Sequence, residues 1–230
     1  MGRLHRERHR ATSRVPPEIG RSDTRDGTSV AMGEAPVIVD PRPCPWYGSE
    51  VTSNSSGSSR LAPVPATGND PFTQEVLESA GRGATIHLFR TMAHHPGLLR
   101  KYLPFGYKLL DGGTLTGRQR EIIVVRLASS VRCRYELVKH RVIAADEGLT
   151  AAEIAALEGG PVVEWSPDEQ AIIDATDQLN VDCDLDDATW SALAASLTAK
   201  EIVELTMVVG CYRMLAGLLN GARVQLEDEN

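Results

Sequence analysis

Residues 121–140 read EIIVVRLASSVRCRYELVKH. The first part, Ile122, Ile123, Val124, Val125 and Leu127, is apolar on nearly every side of a helix, which is the pattern of a central helix rather than a surface one. SSVR (129–132) interrupts it, because serine competes for backbone hydrogen bonds. CRYELVKHRVIAADEG then reads as a second helix ended by Gly148. Cys133, Glu136 and His140 fall at i, i+3 and i+7, on one face of that helix. Packed as a hairpin, the two helices bring Glu121 back towards His140. A carboxylate beside an imidazole orients its tautomer and lets it move protons. Cys133 is expected in the first helical turn, where free amides and the helix dipole favour a thiolate.

The same helical signature extends on both sides. FTQEVLESA and ATIHLFRTMAHH read as two helices broken by Gly81 and Gly83, and HPGLLRKYLPFGYKLLDGG as a third, kinked near Pro104 and stopped by Gly112 and Gly113. Thr116/Gln119, Thr150/Glu153, Ser166/Glu169 and Thr198/Glu201 each have the spacing of a capping box. DDATWSALAASL is a further helix, capped by Asp186 or Asp187, and no segment alternates with period two long enough to be a strand. The expected fold is all-α, one domain of packed helical hairpins over residues 71–230. Residues 1–70, rich in Pro, Ser, Gly and Arg, are expected to be an unfolded tail.

The net charge of −7 is unevenly placed. The first 30 residues hold seven Arg against four acids, a balance of +3, which leaves −10 on the remainder. An acidic body argues against nucleic acid as the main partner. Cys44, Cys133, Cys183 and Cys211 are far apart with no CxxC, so neither a disulfide framework nor a local dithiol is expected, and a reducing cytoplasm is the expected setting. The N-terminus lacks the apolar core of a signal peptide, and no apolar run is read as long enough to span a membrane.

The spacing of Glu121, Cys133, position 136 and His140 resembles the signature of the AhpD-like superfamily, which holds the alkyl hydroperoxidase D proteins and the carboxymuconolactone decarboxylases. IHLFRTMAHHPGLLRKYLPFGYKLL is similar to the lead-in helices of that family, YELVKHRVIAADEGLTAAEIAAL to its core, and VVGCYRMLAGLLNGARVQLE to its closing helix. The resemblance covers roughly residues 75–228 and implies an AhpD-like helical bundle that assembles as trimers or multiples of them. One departure matters: alkyl hydroperoxidase D proteins carry a second cysteine where this chain has Glu136. Without it, Cys133 has no local partner for disulfide turnover. Two carboxylates and a histidine around one thiol favour proton transfer.

The resulting expectation is a carboxymuconolactone-decarboxylase-like enzyme that performs acid–base chemistry, without cofactor or metal, on a small acidic metabolite. Glu121, Cys133, Glu136 and His140 are the catalytic candidates, and Arg126, Arg132, Arg134 and Tyr135 the candidates for holding the substrate. Two alternatives stand beside it: a one-cysteine thiol peroxidase, and a non-catalytic member that binds a ligand or scaffolds an assembly. Each residue also has a plainer role: Cys133 as core filler, Glu136 as partner of Lys139 or His140, Tyr135 as a packing residue, and the arginines as a subunit interface. His87, His94 and His140 could meet at a metal, although they lack ligand spacing. Trp165 and Trp190 are expected as core anchors, and Cys183 and Cys211 as inert.

Overall fold

Four reciprocal caps set where helices begin. In the computed structural model, which describes residues 58–227, Thr116, Thr150, Ser166 and Thr198 each accept a hydrogen bond from the amide three residues on. The side chains of Gln119, Glu153, Glu169 and Glu201 return the bond to the cap amide. Each such cap stabilises its helix by about 0.5–2 kcal/mol. The helices run α1 Pro71–Ser79, α2 His87–Met92, α3 Pro96–Leu110, α4 Gly117–Ser130, α5 Arg134–Asp146, α6 Ala151–Leu157, α7 Pro167–Val181, α8 Asp187–Ser196 and α9 Ala199–Ala222. Among the described residues there is no strand, and the fold is the expected all-α bundle.

Helix α4 is central. It packs against α5, α6, α7 and α9, and Ile122, Ile123, Val124, Val125 and Leu127 are fully buried on it. At about 1.5–3 kcal/mol for each buried aliphatic side chain, this helix anchors the domain. The turn from α4 to α5 closes tightly. Arg132 takes a left-handed conformation (φ 54°), and the Cys133 amide donates to Ala128 O at 2.8 Å, the bond that ends a helix with a left-handed residue. This turn makes α4 and α5 an antiparallel hairpin.

Pro104, the expected kink site, lies inside the single helix α3. Two local expectations need correction. The segment 84–95 is not one helix: a 3₁₀ turn, Gly81–Thr85, precedes α2, and Ile86 between them is extended (ψ 129°). Residues 58–70, assigned to the tail by composition, run along the bundle. There Arg60 N donates to Ala222 O (2.9 Å), Val64 N donates to Arg90 O (3.1 Å), and Arg90 Nε donates to Val64 O (2.7 Å). Residues 1–57 and Cys44 lie outside the described residues. Asp186 is the cap of α8.

Helix α9 also revises the membrane reading. By length and composition Ala199–Ala222 could span a bilayer, although half of its most apolar window is buried in the bundle, as expected of a core helix. Its outer face keeps Val203, Met207, Gly210, Met214, Gly217 and Gly221 exposed, at alternating spacings of four and three.

Candidate active site

The hairpin brings Glu121 on α4 and His140 on α5 together: Nδ1 of the imidazole is 2.7 Å from Glu121 Oε2. Glu121 is wholly buried and His140 is 8% exposed. A carboxylate only accepts hydrogen bonds, so with Glu121 ionised Nδ1 is the donor of this bond and Nε2 is the nitrogen left free. The other carboxylate oxygen of Glu121 accepts from Arg120 Nε (2.9 Å), and Arg120 Nη2 reaches Glu147 Oε1 at 3.1 Å. The Tyr212 ring, from α9, stands edge-on to His140 with centroids 5.0 Å apart.

Cys133 caps α5 and Glu136 lies in its first turn, both buried. The Cys133 thiol sits beside the Glu136 carboxyl but off hydrogen-bond geometry, so neither oxygen of Glu136 has a partner. Burial raises Glu136 from the ordinary 4.5 to about 8, so it is mostly protonated at neutral pH. The expected thiolate at Cys133 is not supported. Burial, and then the neighbouring Glu136, push this thiol well up, and the backbone amides of α5 oppose them only in part.

Cys211 and Tyr102 also approach Glu136. Burial raises Cys211 to about 11, with Glu136 adding to it, and burial raises Tyr102 as well. Cys211 therefore belongs to the same buried centre as Cys133, a placement that nothing local in the sequence signals. Both thiols are free, as is the exposed Cys183.

The expected substrate holders do not gather at this centre as a set. Arg126 faces α7, pairing through Nε and Nη2 with Asp177 at 2.7 and 2.6 Å and bonding Leu157 O through Nη1. Arg132 is exposed in the turn, and Arg134 opens α5, half-buried. The Tyr135 hydroxyl donates to Glu227 at 2.5 Å. That carboxylate also accepts from the His87 amide (2.8 Å). Lys139 Nζ lies 2.5 Å from its other oxygen, an ion pair by distance although off the hydrogen-bond direction. Burial works to raise Glu227, but Lys139, Tyr135 and the His87 amide outweigh it and hold the carboxyl at about 2.

The histidines expected as metal candidates are apart in role. His87 Nδ1 contacts Gln225 O (2.9 Å), His94 Nε2 contacts Ala62 O (2.8 Å), and His95 Nδ1 caps α3. Among the described residues no three His, Cys, Asp or Glu side chains converge as a metal site. Trp165 packs on the core as expected, but Trp190 is 51% exposed. It lines a surface cavity of about 430 Å³ with Leu179, Cys183, Asp184, Leu185 and Asp187, remote in sequence from the Glu121–His140 hairpin.

Residues 96–178, which include Glu121, Cys133, Glu136 and His140, match the model of the carboxymuconolactone decarboxylase family. No curated protein matches the chain. Among solved structures, an uncharacterized peroxidase-related protein from Silicibacter sp. TM1040 is similar over 77% of this chain and 96% of its own, with 18% identity and a TM-score of 0.63. The alkylhydroperoxidase AhpD core protein from Ralstonia eutropha JMP134 is similar over 75% and 95%, with 21% identity and a TM-score of 0.60. The debrominase Bmp8 is similar over 74% and 93%, with 15% identity and a TM-score of 0.61. A cysteine-to-alanine variant of it is known in complex with 2,3,4-tribromopyrrole. At these identities the likeness establishes the fold. The matched segment is thus similar to the carboxymuconolactone decarboxylase family, and the bundle that carries it has an AhpD-like fold.

Proposed function

We propose that the chain is a cofactor-free acid–base enzyme, a lyase or isomerase of the carboxymuconolactone decarboxylase kind, acting on a small acidic metabolite. The observation that carries this reading is the buried Glu121–His140 pair lying on the same helical hairpin as a carboxyl, Glu136, that has no partner and is protonated near neutral pH. In a decarboxylation, the bond from carbon to the departing carboxylate breaks and its electron pair moves into a conjugated carbonyl, forming a dienolate. The Glu136 O–H donates to that oxygen, and the free Nε2 of His140, which first takes a proton from water to form the imidazolium, delivers that proton to carbon. Glu121 stabilises the imidazolium and Cys133 lines the pocket as a neutral thiol. Arg132 and Arg134, which flank Cys133 along the chain, are the proposed holders of the substrate's charge. Tyr135 serves instead as an anchor for α5.

The thiol-peroxidase alternative is disfavoured by the burial that keeps Cys133 protonated. The test is deuterium incorporation into small lactone acids, carboxymuconolactone included, in D₂O, together with release of carbon dioxide. Turnover by the native chain that disappears in His140→Ala supports the reading. Hydroperoxide consumption driven by a dithiol and abolished in Cys133→Ser, with no exchange on any lactone, overturns it in favour of the peroxidase. Binding without turnover points to the non-catalytic alternative.

We further propose that the enzyme works as a cytoplasmic homo-oligomer, a trimer or a multiple of one, in which the exposed α9 stripe packs on another copy. Supporting this is the four-and-three spacing of Val203, Met207, Gly210, Met214, Gly217 and Gly221, which suits helix–helix contact.

A further inference from the structure

We propose that Arg120 is a positioning residue for this site: it holds Glu121 as a carboxylate in the one rotamer that fixes the His140 proton on Nδ1. The inference rests on the reading of Glu121 and His140 as the reacting pair. Arg120 precedes Glu121 in the chain, yet its guanidinium reaches back into the hairpin and its side chain is only 10% exposed. Its Nε donates to one oxygen of Glu121 at 2.9 Å, and the other oxygen faces His140 Nδ1 at 2.7 Å. Each oxygen therefore has its own partner, and the carboxylate cannot rotate without losing both.

The outer end of the guanidinium is anchored too. Its Nη2 binds Glu147 at 3.1 Å, at the far end of α5. The Glu147 carboxylate lies against Gly117 at the start of α4 and is 40% exposed. One planar fork thus spans α4 and the far end of α5, a geometry suited to arginine.

The cation sets the proton inventory. A carboxylate without exposure or counter-charge is driven towards its neutral form. A neutral Glu121 carries its proton on one oxygen and can donate it to His140 Nδ1. The imidazole then holds its own proton on Nε2 and loses the lone pair that faces the reaction. With Arg120 in place, Glu121 accepts, Nδ1 donates, and Nε2 stays free.

The test uses the full chain labelled with ¹⁵N-histidine, with two-bond proton–nitrogen spectra read at a pH where the His140 ring is singly protonated. The native chain should show a protonated Nδ1 and a bare Nε2. Arg120→Met, which keeps the stem and removes the charge, should move most of the population to the Nε2–H form. Arg120→Lys, which keeps the charge, should retain Nδ1–H. An unchanged tautomer in a folded Arg120→Met overturns the proposal. Should that variant fail to fold by circular dichroism, Arg120→Lys decides: retention of Nδ1–H supports the proposal, and its loss in a folded protein overturns it. The readout needs no substrate. An Arg120-dependent tautomer in a chain that exchanges no lactone proton would sink the proposed reaction and leave this inference standing, while exchange with an Arg120-independent tautomer would do the reverse.

Discussion

Glu121 Oε2 lies 2.7 Å from His140 Nδ1, although the two residues are nineteen positions apart on opposite arms of a hairpin. The α4–α5 turn, not sequence proximity, makes the pair, and all chemistry proposed for the site runs through it. His140→Ala and Glu121→Gln are each expected to lower lactone proton exchange by about 10²–10⁴-fold, the usual worth of a positioned acid–base group. Cys133→Ser should stay within about tenfold of native, because a neutral thiol contributes shape rather than charge. Exchange rates measured on the three variants give the order. A dead Cys133→Ser beside an active His140→Ala would contradict the assignment.

The α9 stripe gives a test of assembly. Met207 and Met214 are 46% and 55% exposed, so a charge at either place has little to do with the core. Met207→Glu combined with Met214→Glu should leave the helical circular dichroism unchanged and shift the light-scattering mass to that of one chain, since like charges would face each other across the contact. A multiple that persists in the double variant places the interface on another surface.

Glu227 ties the chain's end to the functional helix. Its carboxylate joins Tyr135 and Lys139 of α5 to the first amide of α2. Its folded pKa, about 2, lies below the ordinary 4.5. A carboxyl lowered on folding contributes stability that is full above about 4.5 and is lost as pH falls towards 2. Glu227→Gln should therefore cost on the order of 1–2 kcal/mol at pH 7 and weaken the acid-side decline, as read by thermal unfolding between pH 7 and pH 3.

The N-terminal boundary can be located by truncation. Removal of residues 1–57 should leave the melting temperature nearly unchanged, as their composition implies. Removal of residues 1–65 should lower it by several degrees, since it deletes the bonds of Arg60 and Val64 to α9 and α2. Equal melting temperatures for the two truncations would show that the 58–65 segment adds nothing to stability.

What could be read from sequence was whatever the chain decides locally. The four capping boxes need only residues three apart. The α4–α5 pairing needs only an apolar helix, a weak point near Ser130 and a short turn, and from it followed the meeting of Glu121 and His140. The rest depends on partners far along the chain. Arg126 looked like a substrate holder until Asp177, fifty-one residues on, occupied it. Tyr135 finds its acceptor ninety-two residues away. Arg120 looks like one more surface charge in TGRQRE, and only the closed hairpin buries it. The thiolate expectation for Cys133 counted the helix dipole but not the burial, which belongs to the packing of the whole bundle. Trp190, expected as a core anchor, is turned outward by α8.

Glu136 makes the opposite pH prediction to Glu227. It is 3% exposed, both oxygens lack partners, and burial raises it from 4.5 to about 8. A carboxyl whose folded pKa lies above its unfolded value binds its proton more tightly in the native state. Stability is then full below about 4.5 and falls as pH rises towards 8. The loss across that window should be on the order of a few kcal/mol. Glu136→Gln keeps the shape, cannot ionise, and should remove most of this slope, leaving the variant more stable than the native chain at pH 8. If Glu136 also supplies the hydrogen bond to the developing oxyanion, its loss of a proton near pH 8 should take activity down with it. The amide introduced by Glu136→Gln, still a donor but a weaker one, should sustain a reduced activity whose alkaline limb moves to higher pH. Denaturant titrations at pH 5, 6.5 and 8, run beside pH–rate profiles of the two proteins, measure both effects. Parallel stability curves for native and variant would mean that Glu136 does not hold its proton in the folded chain, and the acid role assigned to it would fall.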